Sequence, residues 1–440
     1  MKFSQHLGKG AWGFATKLLP AVYGVVMTVL VFKVLPKEES GELALFQVIF
    51  GMIFTFADSF ALQAIVKFGV DTKNDLGELL SATSLLFFGF LAVVLGAMGI
   101  FPNLLGSLMN APLLPRLIPS LIFLTILTVP RVIASKIFQM RFHTKELFFM
   151  DLIYFGGSSV IVAYYGFAGK LSSAYDVIFI TMITAAASSV YSLIAARRDI
   201  LFKPRFTKAM VKKIFDFTRY QTATGTVHVF QQNLDSLLVP AFLGVEALAN
   251  YQVAKFFFKG FDVLRDTQGI FVFPASSKYH ASGDTATLQK IIEKATSFLF
   301  ILMVPVCILL IIFAPTIFHL IYGTKFDVSI DVFRVLIATG FVLPVVMVAM
   351  SALVGMGRVK EVFRIILASL IINVALAVVL LPALGLIGAA TAFAISMIVQ
   401  AVAGYRVMKR DVPLEARELL LRGVADGKHF VMERITGGRQ

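Results

Sequence analysis

Charged residues are scarce in this sequence. Only 15% of its 440 residues are Asp, Glu, Lys or Arg, against about 25% in an ordinary soluble domain. Hydrophobic residues make up 58%, and the mean hydropathy is +0.85. This composition excludes a soluble globular domain. Apolar runs of about 20 residues, each long enough to cross a bilayer as a helix, recur along almost the whole chain. We therefore predict an all-α integral membrane protein.

The motifs of several enzyme and metal-site classes are also lacking. The sequence has one cysteine, Cys307, so it cannot form an internal disulfide framework. Cys307 lies within an apolar run. The sequence has no glycine-rich lysine loop for nucleotide phosphates, so we do not expect the chain to hydrolyse ATP itself. The six histidines are scattered without metal-ligand spacing. We expect neither a metal site nor a cofactor.

Acidic residues are outnumbered by basic ones, 26 to 40, which gives a formal net charge of +14. Such a charge could indicate a nucleic-acid partner, but the basic residues lie mostly in the connections between apolar runs. Counted by connection, 28 fall on one predicted side of the membrane and five on the other. The side richer in Lys and Arg is the cytoplasmic one. We therefore predict no nucleic-acid partner and place both termini in the cytoplasm.

The apolar runs predict twelve transmembrane helices, and an even number agrees with both termini lying on one side. The predicted helices lie at about 12–35, 42–66, 79–101, 117–138, 148–169, 173–196, 220–243, 248–273, 296–320, 332–354, 362–382 and 386–408. The basic connection between the sixth and seventh contains Pro204 and separates six helices from six. The predicted organisation is an N-terminal six-helix bundle (1–196), a basic cytoplasmic linker (197–213), a C-terminal six-helix bundle (214–408) and a cytoplasmic tail (409–440).

An internal repeat supports this division. At an offset of 208 along the chain, the turn at 35–41 aligns with the turn that follows the predicted seventh helix, and Asp58 aligns with Asp266. At an offset of 215, residues 144–148 align with 359–363. Because both halves enter the membrane from the cytoplasm, we predict parallel repeats related by a pseudo-twofold axis along the membrane normal. Transporters of this kind hold their substrate between the halves.

Ionisable residues inside the apolar runs are the strongest functional signal. Each costs from about 2.5 kcal/mol upward at bilayer depth unless it faces a partner or a water-filled cavity. On the predicted eighth helix, Lys255, Lys259, Asp262 and Asp266 fall within one stripe, and Arg265 lies beside it. The stripe predicts either a polar wall of a central cavity or an internal salt-bridge ladder.

Other charges lie in the seventh helix and in the first half. The predicted seventh helix is polar on two faces, one carrying Arg219 and the other Asp235. Asp235 either has a functional role or takes part in interhelical hydrogen bonding. Lys17 and Arg131 either act in function or snorkel toward the interface. Asp58 is either an ion or proton site or a structural partner of Lys17.

Four segments of the chain resemble one transporter family. They are 34–41 (VLPKEESG), 233–238 (NLDSLL), 355–360 (GMGRVK) and Asn373 followed by 384–390 (LGLIGAA). In this order, and among twelve predicted helices, they resemble the polysaccharide-flippase branch of the multidrug/oligosaccharidyl-lipid/polysaccharide exporter superfamily. The resemblance covers all twelve helices and leaves the tail after about Lys409 uncovered.

The resemblance implies a transporter and not an enzyme. It implies a multi-pass protein of the bacterial inner membrane that moves undecaprenyl-pyrophosphate-linked oligosaccharide repeat units from the cytoplasmic to the periplasmic leaflet. Two six-helix halves would do so by alternating access, for surface polysaccharide biosynthesis. The implied partners are this lipid-linked oligosaccharide and the lipid bilayer, with a polysaccharide polymerase and other assembly proteins as further candidates.

Such a substrate calls for a wet, cationic cavity. The candidate substrate-binding residues are Lys17, Arg131, Arg219, Lys255, Lys259 and Arg265. The candidate residues for ion or proton coupling are the carboxylates Asp58, Asp235, Asp262 and Asp266.

Two alternatives remain open at this point. A cation-coupled multidrug antiporter of the same superfamily would need an apolar, anionic cavity, whereas the intramembrane charges here lean basic. A membrane-embedded glycosyltransferase or ligase acting on a polyprenyl-linked sugar would need a sizeable periplasmic loop with catalytic side chains. The predicted periplasmic connections are short, and the longest, at about 102–116, is mostly apolar.

Overall fold

The computed structural model describes residues 3–70, 76–197 and 205–419. The side chains of 3–11, 14, 220, 221, 223, 224, 228 and 266 lie outside that description. Over the described ranges the chain forms helices and turns and no strand. This confirms the all-α prediction. Residues 198–204 of the predicted linker and 420–440 of the predicted tail lie outside the described residues.

Up to Phe258, the described part of the chain forms nine helices, α1 to α9. They are α1 (Phe3–Val25, a π-helical turn at Val26–Val31, then Phe32–Val34), α2 (Lys37–Ala57, a π-helical turn at Asp58–Leu62, then Gln63–Phe68), α3 (Leu76–Ile100), α4 (Pro102–Leu108), α5 (Leu114–Arg141), α6 (Thr144–Asp151, a π-helical turn at Leu152–Gly156, then Gly157–Phe167), α7 (Ala174–Ala195), α8 (Lys208–Leu243) and α9 (Val245–Phe258).

Seven helices follow. They are α10 (Gly260–Ala281), α11 (Thr285–Ile312), α12 (Ala314–Tyr322), α13 (Val328–Ala338, continued by a 3₁₀ turn at Thr339–Phe341), α14 (Leu343–Gly355), α15 (Val359–Leu384) and α16 (Leu386–Asp411).

Many of these helices have the length and hydropathy of membrane spans. Among the described residues, nine helical segments are long and apolar enough to span one, and α13 with α14 makes a tenth if this pair, bent by 50°, is one span. This supports the prediction of a multi-pass membrane protein. Each of the twelve predicted helical segments is helical, but α8 and the α9–α10 pair do not reach the same hydropathy. Twelve spans therefore remain a prediction.

Three helices that the hydropathy pattern predicts as continuous are divided. The predicted helix 248–273 breaks at Lys259, and 296–320 breaks where α12 begins. The third break separates α13 from α14. Pro315 and Pro344 lie in the first turns of α12 and α14. Proline has no N–H to donate and a fixed φ, so it is tolerated in the first turn of a helix and disrupts its interior.

The described chain divides into two compact units, Met1–Gln252 and Val253–Gln440. This boundary reflects packing and lies within α9. The boundary predicted from the sequence, at 197–213, is the basic connection with Pro204 that the internal repeat supports, and it remains a prediction. The two differ because α8, the first helix of the predicted second half, packs against α2 and α3 of the first unit.

α8 begins about twelve residues earlier than predicted, and its first half packs against α2 and α3. The Thr207 side chain accepts a hydrogen bond from the Met210 N–H at the start of the helix, 3.3 Å away. Met210 and Ile214 pack in an apolar cluster with residues of α2 and α3, which are Ala64, Leu79 and Ala82. In mid-helix, Thr222 donates to the Ser59 carbonyl at 3.3 Å.

The starts of α2, α5 and α7 are joined by carboxylates. Glu42, fully buried in α2, accepts a hydrogen bond from the N–H of Leu113 at the start of α5, at 2.8 Å. Glu39 accepts one from the N–H of Ala174 at the start of α7, also at 2.8 Å. The first N–H groups of a helix lack intrahelical partners and favour negative charge. These contacts hold α2 and α5, which carry the charged cluster described below.

In the second unit, polar contacts join α10 to α14 and α15 to α16. The Gln268 amide donates to the Met347 carbonyl at 3.0 Å and to Ser351 at 2.8 Å. Ser369 donates to the Ser396 carbonyl at 2.8 Å. Side-chain hydrogen bonds of this kind bind helices together where lipid supplies no hydrophobic driving force.

Candidate functional site

α5 carries two cations, Arg131 and Lys136, within a candidate membrane span of the first unit. Each meets a carboxylate from a different helix. Nη2 of Arg131 lies 2.5 Å from Oδ1 of Asp151 on α6. Nζ of Lys136 lies 2.6 Å from Oδ1 of Asp58 on α2. The two cations lie five residues apart on α5, and we call the two pairs, together with Lys17 of α1, the first-unit cluster.

Asp58 is held by two partners. Besides the Lys136 ion pair, its Oδ2 accepts a hydrogen bond from the Gln63 side chain at 2.6 Å. Lys136 is 12% exposed and Asp58 24%, so the pair is largely shielded from solvent. The sequence analysis considers Lys17 as a structural partner of Asp58, whereas in the structure the ion-pair partner of Asp58 is Lys136. Lys136 is one of the 28 basic residues that the sequence count assigns to cytoplasmic connections, and the structure places it inside α5.

The Arg131 guanidinium is stacked as well as paired. It lies 4.2 Å from the ring centroid of Tyr154 and 5.1 Å from that of Phe155, both on α6. Its side chain is 12% exposed, and among the described residues its buried Nε has no hydrogen-bond partner. Lys17 of α1 interacts electrostatically with Asp151. Of the predicted residues, Arg131 is paired with Asp151, which the sequence analysis missed, and Lys17 lies within electrostatic range of the same carboxylate.

Both carboxylates of the cluster lie at π-helical turns. Asp58 begins the turn Asp58–Leu62, and Asp151 immediately precedes the turn Leu152–Gly156. A π turn inserts one extra residue into the helix, which changes the direction of neighbouring side chains and occurs frequently at functional sites. Asp151 was detectable as a carboxylate inside the predicted helix 148–169. Its π turn was not, because hydropathy does not report on helix register.

Asp235 lies elsewhere in the first unit, with 6% exposure. It accepts a hydrogen bond from the Tyr251 hydroxyl at 2.6 Å and one from the Ser236 N–H at 2.9 Å. The Gln252 amide donates to the Ser236 hydroxyl at 2.9 Å. These contacts join α8 to α9. They fit the interhelical interpretation of Asp235, and its role in ion coupling remains a prediction.

The helix that carries the predicted stripe is interrupted at Lys259. Lys255 lies in the last turn of α9, and Lys259 is exposed at the break before α10. Hydrogen bonds span three residues here, from the Lys259 N–H to Phe256 and from the Asp262 N–H to Lys259. Such tight bonds change the angular spacing of side chains from that of a continuous α-helix. The cavity wall therefore remains a prediction.

The other predicted site residues with described side chains form two local ion pairs. In α10, Arg265 lies 2.9 Å from Asp262, and both are about two-fifths exposed. In α8, Arg219 lies 3.7 Å from Asp216, with Arg219 53% exposed. Pairs this exposed contribute little to stability and can rearrange. The side chain of Asp266 lies outside the described residues.

The first-unit cluster has the chemistry of an anion site. Its three cations, Lys17, Arg131 and Lys136, exceed its two carboxylates by one charge. A planar guanidinium with free donors is suited to two-point recognition of a phosphate or carboxylate. At bilayer depth such a group is costly unless it has a task or a partner. Of the predicted site residues, Arg131 pairs with Asp151 within electrostatic range of Lys17, and Asp58 pairs separately with Lys136.

Comparison with known families identifies the type of protein. Residues 30–331 match the family model described as polysaccharide biosynthesis protein. The chain belongs to this family. The family resemblance predicted from the sequence motifs is thereby confirmed. A probable low-salt glycan biosynthesis flippase of Haloferax volcanii is 20% identical over 380 residues, which cover 83% of this chain and 75% of the relative.

Solved structures show what fold this polysaccharide biosynthesis protein has. An inward-facing multidrug resistance MATE family transporter of the MOP superfamily aligns with a TM-score of 0.74 and 15% identity, over 91% of this chain and 98% of the other. The lipid II flippase MurJ in an inward closed conformation aligns at 0.71 and 16%, over 97% and 92%. At these identities the likeness establishes a shared membrane-transporter fold and assigns no site residue.

Proposed function

We propose that this protein moves a lipid-linked oligosaccharide across a membrane. The proposed substrate is an undecaprenyl-pyrophosphate-linked repeat unit, carried from the cytoplasmic to the periplasmic leaflet of a bacterial inner membrane for surface polysaccharide biosynthesis. One observation carries the proposal. A chain of the polysaccharide biosynthesis family holds a shielded, stacked arginine, Arg131, among membrane-spanning helices.

The substrate explains why such a cation is present. A diphosphate headgroup cannot cross hydrocarbon without compensating charge, and Arg131 with Lys17 supplies that charge within the first unit. An inside-negative potential would favour outward passage by roughly 2.3 kcal/mol per charge per 100 mV if the charge moves with the substrate. No covalent chemistry is required, and the protein acts as a transporter and not as an enzyme.

The proposed mechanism is alternating access between two six-helix halves, 1–196 and 214–408, with twelve spans and both termini in the cytoplasm. Parallel repeats holding the substrate between them suit this mechanism. The cations Arg219, Lys255, Lys259 and Arg265 would line the path in the second half. The carboxylates Asp58, Asp235, Asp262 and Asp266 would couple transport to ions or protons. A polymerase and other assembly proteins would receive the product.

Deletion of the gene in its native host tests this function. We expect a complete lipid-linked repeat unit to accumulate on the cytoplasmic leaflet, and wild-type protein from a plasmid to restore export. A variant Arg131→Gln that reaches the membrane in normal amount should not restore it. Accumulation of an incomplete glycan would instead indicate a glycosyltransferase or ligase and would contradict the proposal.

A second candidate is a cation-coupled multidrug antiporter. The observation in its favour is the fold shared with the MATE family transporter. Against it, both carboxylates of the first-unit cluster, Asp58 and Asp151, are paired with basic side chains, whereas a cationic drug needs unpaired negative charge. The antiporter predicts increased drug sensitivity and normal lipid-linked intermediates in the deletion strain, the reverse of the flippase result.

A further inference from the structure

Arg131 already binds a carboxylate where the proposed substrate would present a phosphate. Its guanidinium has five N–H donors. Its ion pair with Asp151 is made by Nη2 at 2.5 Å, and its buried Nε has no hydrogen-bond partner among the described residues. The pair is therefore not the two-point arrangement that arginine forms with its best anionic ligands. Donor capacity remains for a larger anion.

The aromatic rings stack against the guanidinium, whereas the carboxylate lies at the edge of a π-helical turn. Tyr154 and Phe155 lie over Arg131, and Tyr154 is 5% exposed. Asp151 directly precedes the π-helical turn that carries both rings. Removing the extra residue of a π turn rotates one side of the helix against the other by about 100°. That rotation would move Asp151 away from Arg131.

The charges around the pair favour an exchange of anions. Lys17 lies within electrostatic range of Asp151, and Asp58 is paired separately with Lys136. With Asp151 in place, Lys17, Arg131 and Asp151 together carry one net positive charge. A phosphate or diphosphate that replaced Asp151 would meet two cations and no bound carboxylate. The Asp151 carboxylate, which carries less charge than a diphosphate, is suited to neutralise Arg131 when no substrate is bound.

We propose that Asp151 is an internal counter-ion that competes with the phosphate or diphosphate group of the substrate for Arg131. In the empty protein the carboxylate neutralises the guanidinium, and the headgroup displaces it on binding. The return of Asp151 to Arg131 then promotes release. This inference rests on the proposed function and adds a residue that limits affinity in order to permit turnover.

Binding by the purified full-length protein tests the inference. Native mass spectrometry would measure the affinity for undecaprenyl diphosphate in wild type, Asp151→Asn, Arg131→Gln and the double variant. We expect Asp151→Asn to bind about tenfold more tightly than wild type and to export more slowly. Arg131→Gln should bind about tenfold more weakly, and the double variant should bind no more tightly than Arg131→Gln, because both effects act through one guanidinium.

Two control variants separate charge from structure. Asp151→Glu retains the carboxylate and should bind within about twofold of wild type. Asp331→Asn, which removes an exposed carboxylate 3.0 Å from Arg334 in the second unit, should also bind like wild type. Melting temperatures of all variants would show whether each is folded. Equal tightening by Asp151→Glu and Asp151→Asn would overturn the proposal.

The same binding experiment distinguishes a bare anion from a lipid-borne headgroup. It also distinguishes failure of the counter-ion inference from failure of the proposed function. Displacement of the lipid by inorganic diphosphate supports a site for the bare anion, and a lack of displacement with the Asp151→Asn gain intact supports a site for the lipid-borne headgroup. If wild type binds and Asp151→Asn is no tighter, the counter-ion inference fails and the flippase function stands. If no variant binds, both fail.

Discussion

At the scale of single residues, the largely shielded Lys136–Asp58 pair gives a direct stability prediction. Lys136→Met removes the cation and leaves the Asp58 carboxylate with Gln63 as its remaining described partner. Breaking a shielded ion pair from one side costs about 3 kcal/mol, whereas replacing both charges costs much less. We expect Lys136→Met to melt at lower temperature in detergent and Asp58→Asn/Lys136→Met to recover most of the loss. Equal melting of single and double variants would contradict a shielded pair.

The second-half lysines give an export prediction at the same scale. Lys255→Ala with Lys259→Ala removes two cations from the proposed path, and we expect loss of surface polysaccharide with normal membrane insertion. The matched control is Lys290→Ala with Lys294→Ala, which has the same four-residue spacing on α11 and should export normally. Surface staining and membrane immunoblots measure both. Normal export by the first variant would exclude these lysines from the path.

Element scale: Gly41 sets how closely α2 approaches the start of α9. A Cβ at Gly41 would clash with the Val245 carbonyl oxygen, whereas one at Gly51 of the same helix meets nothing within 4 Å. Gly41→Ala should therefore destabilise by about 1–3 kcal/mol through forced separation. Gly51→Ala should be neutral or stabilising by up to about 1 kcal/mol through helix propensity. The difference in melting temperature between the two variants checks the contact.

Helix starts also bear on the internal repeat. α2 begins at Lys37 and α9 at Val245, whereas α6 begins at Thr144 and α15 at Val359. The separation within each pair equals one of the two offsets predicted from the sequence. These matches support the repeat while leaving the two-bundle arrangement a prediction. The turn motifs of the sequence could reveal the repeat because the position at which a helix starts depends on a few consecutive residues.

At the scale of the whole molecule, a cross-link on α8 tests where the boundary lies between the two halves proposed to move during transport. Ser59 and Gly225 approach closely, since a Cβ at Gly225 would lie 3.1 Å from that of Ser59. We expect a Ser59→Cys/Gly225→Cys disulfide to block export, reversibly with dithiothreitol, if the moving halves meet at 197–213. Each single cysteine variant is the control. Full export by the cross-linked protein would place α8 with the first unit throughout the cycle and move the boundary toward Gln252.

Membrane class, helix order and family followed from the sequence alone. The hydropathy of a membrane-length window and the short turn motifs are properties of consecutive residues, so they can be read without knowing which helices touch. The same reasoning singled out Lys17, Asp58 and Arg131, because a charge inside an apolar run is conspicuous wherever it packs.

Only the tertiary structure decided which charges meet. It paired Asp58 with Lys136 and Arg131 with Asp151, and it placed α8 against the first unit. It also divided the predicted helix 248–273 at Lys259. These outcomes depend on helix packing, local register and the π turns. Partners such as Arg131 and Asp151, which lie on separate helices, have no signal in the hydropathy of either segment.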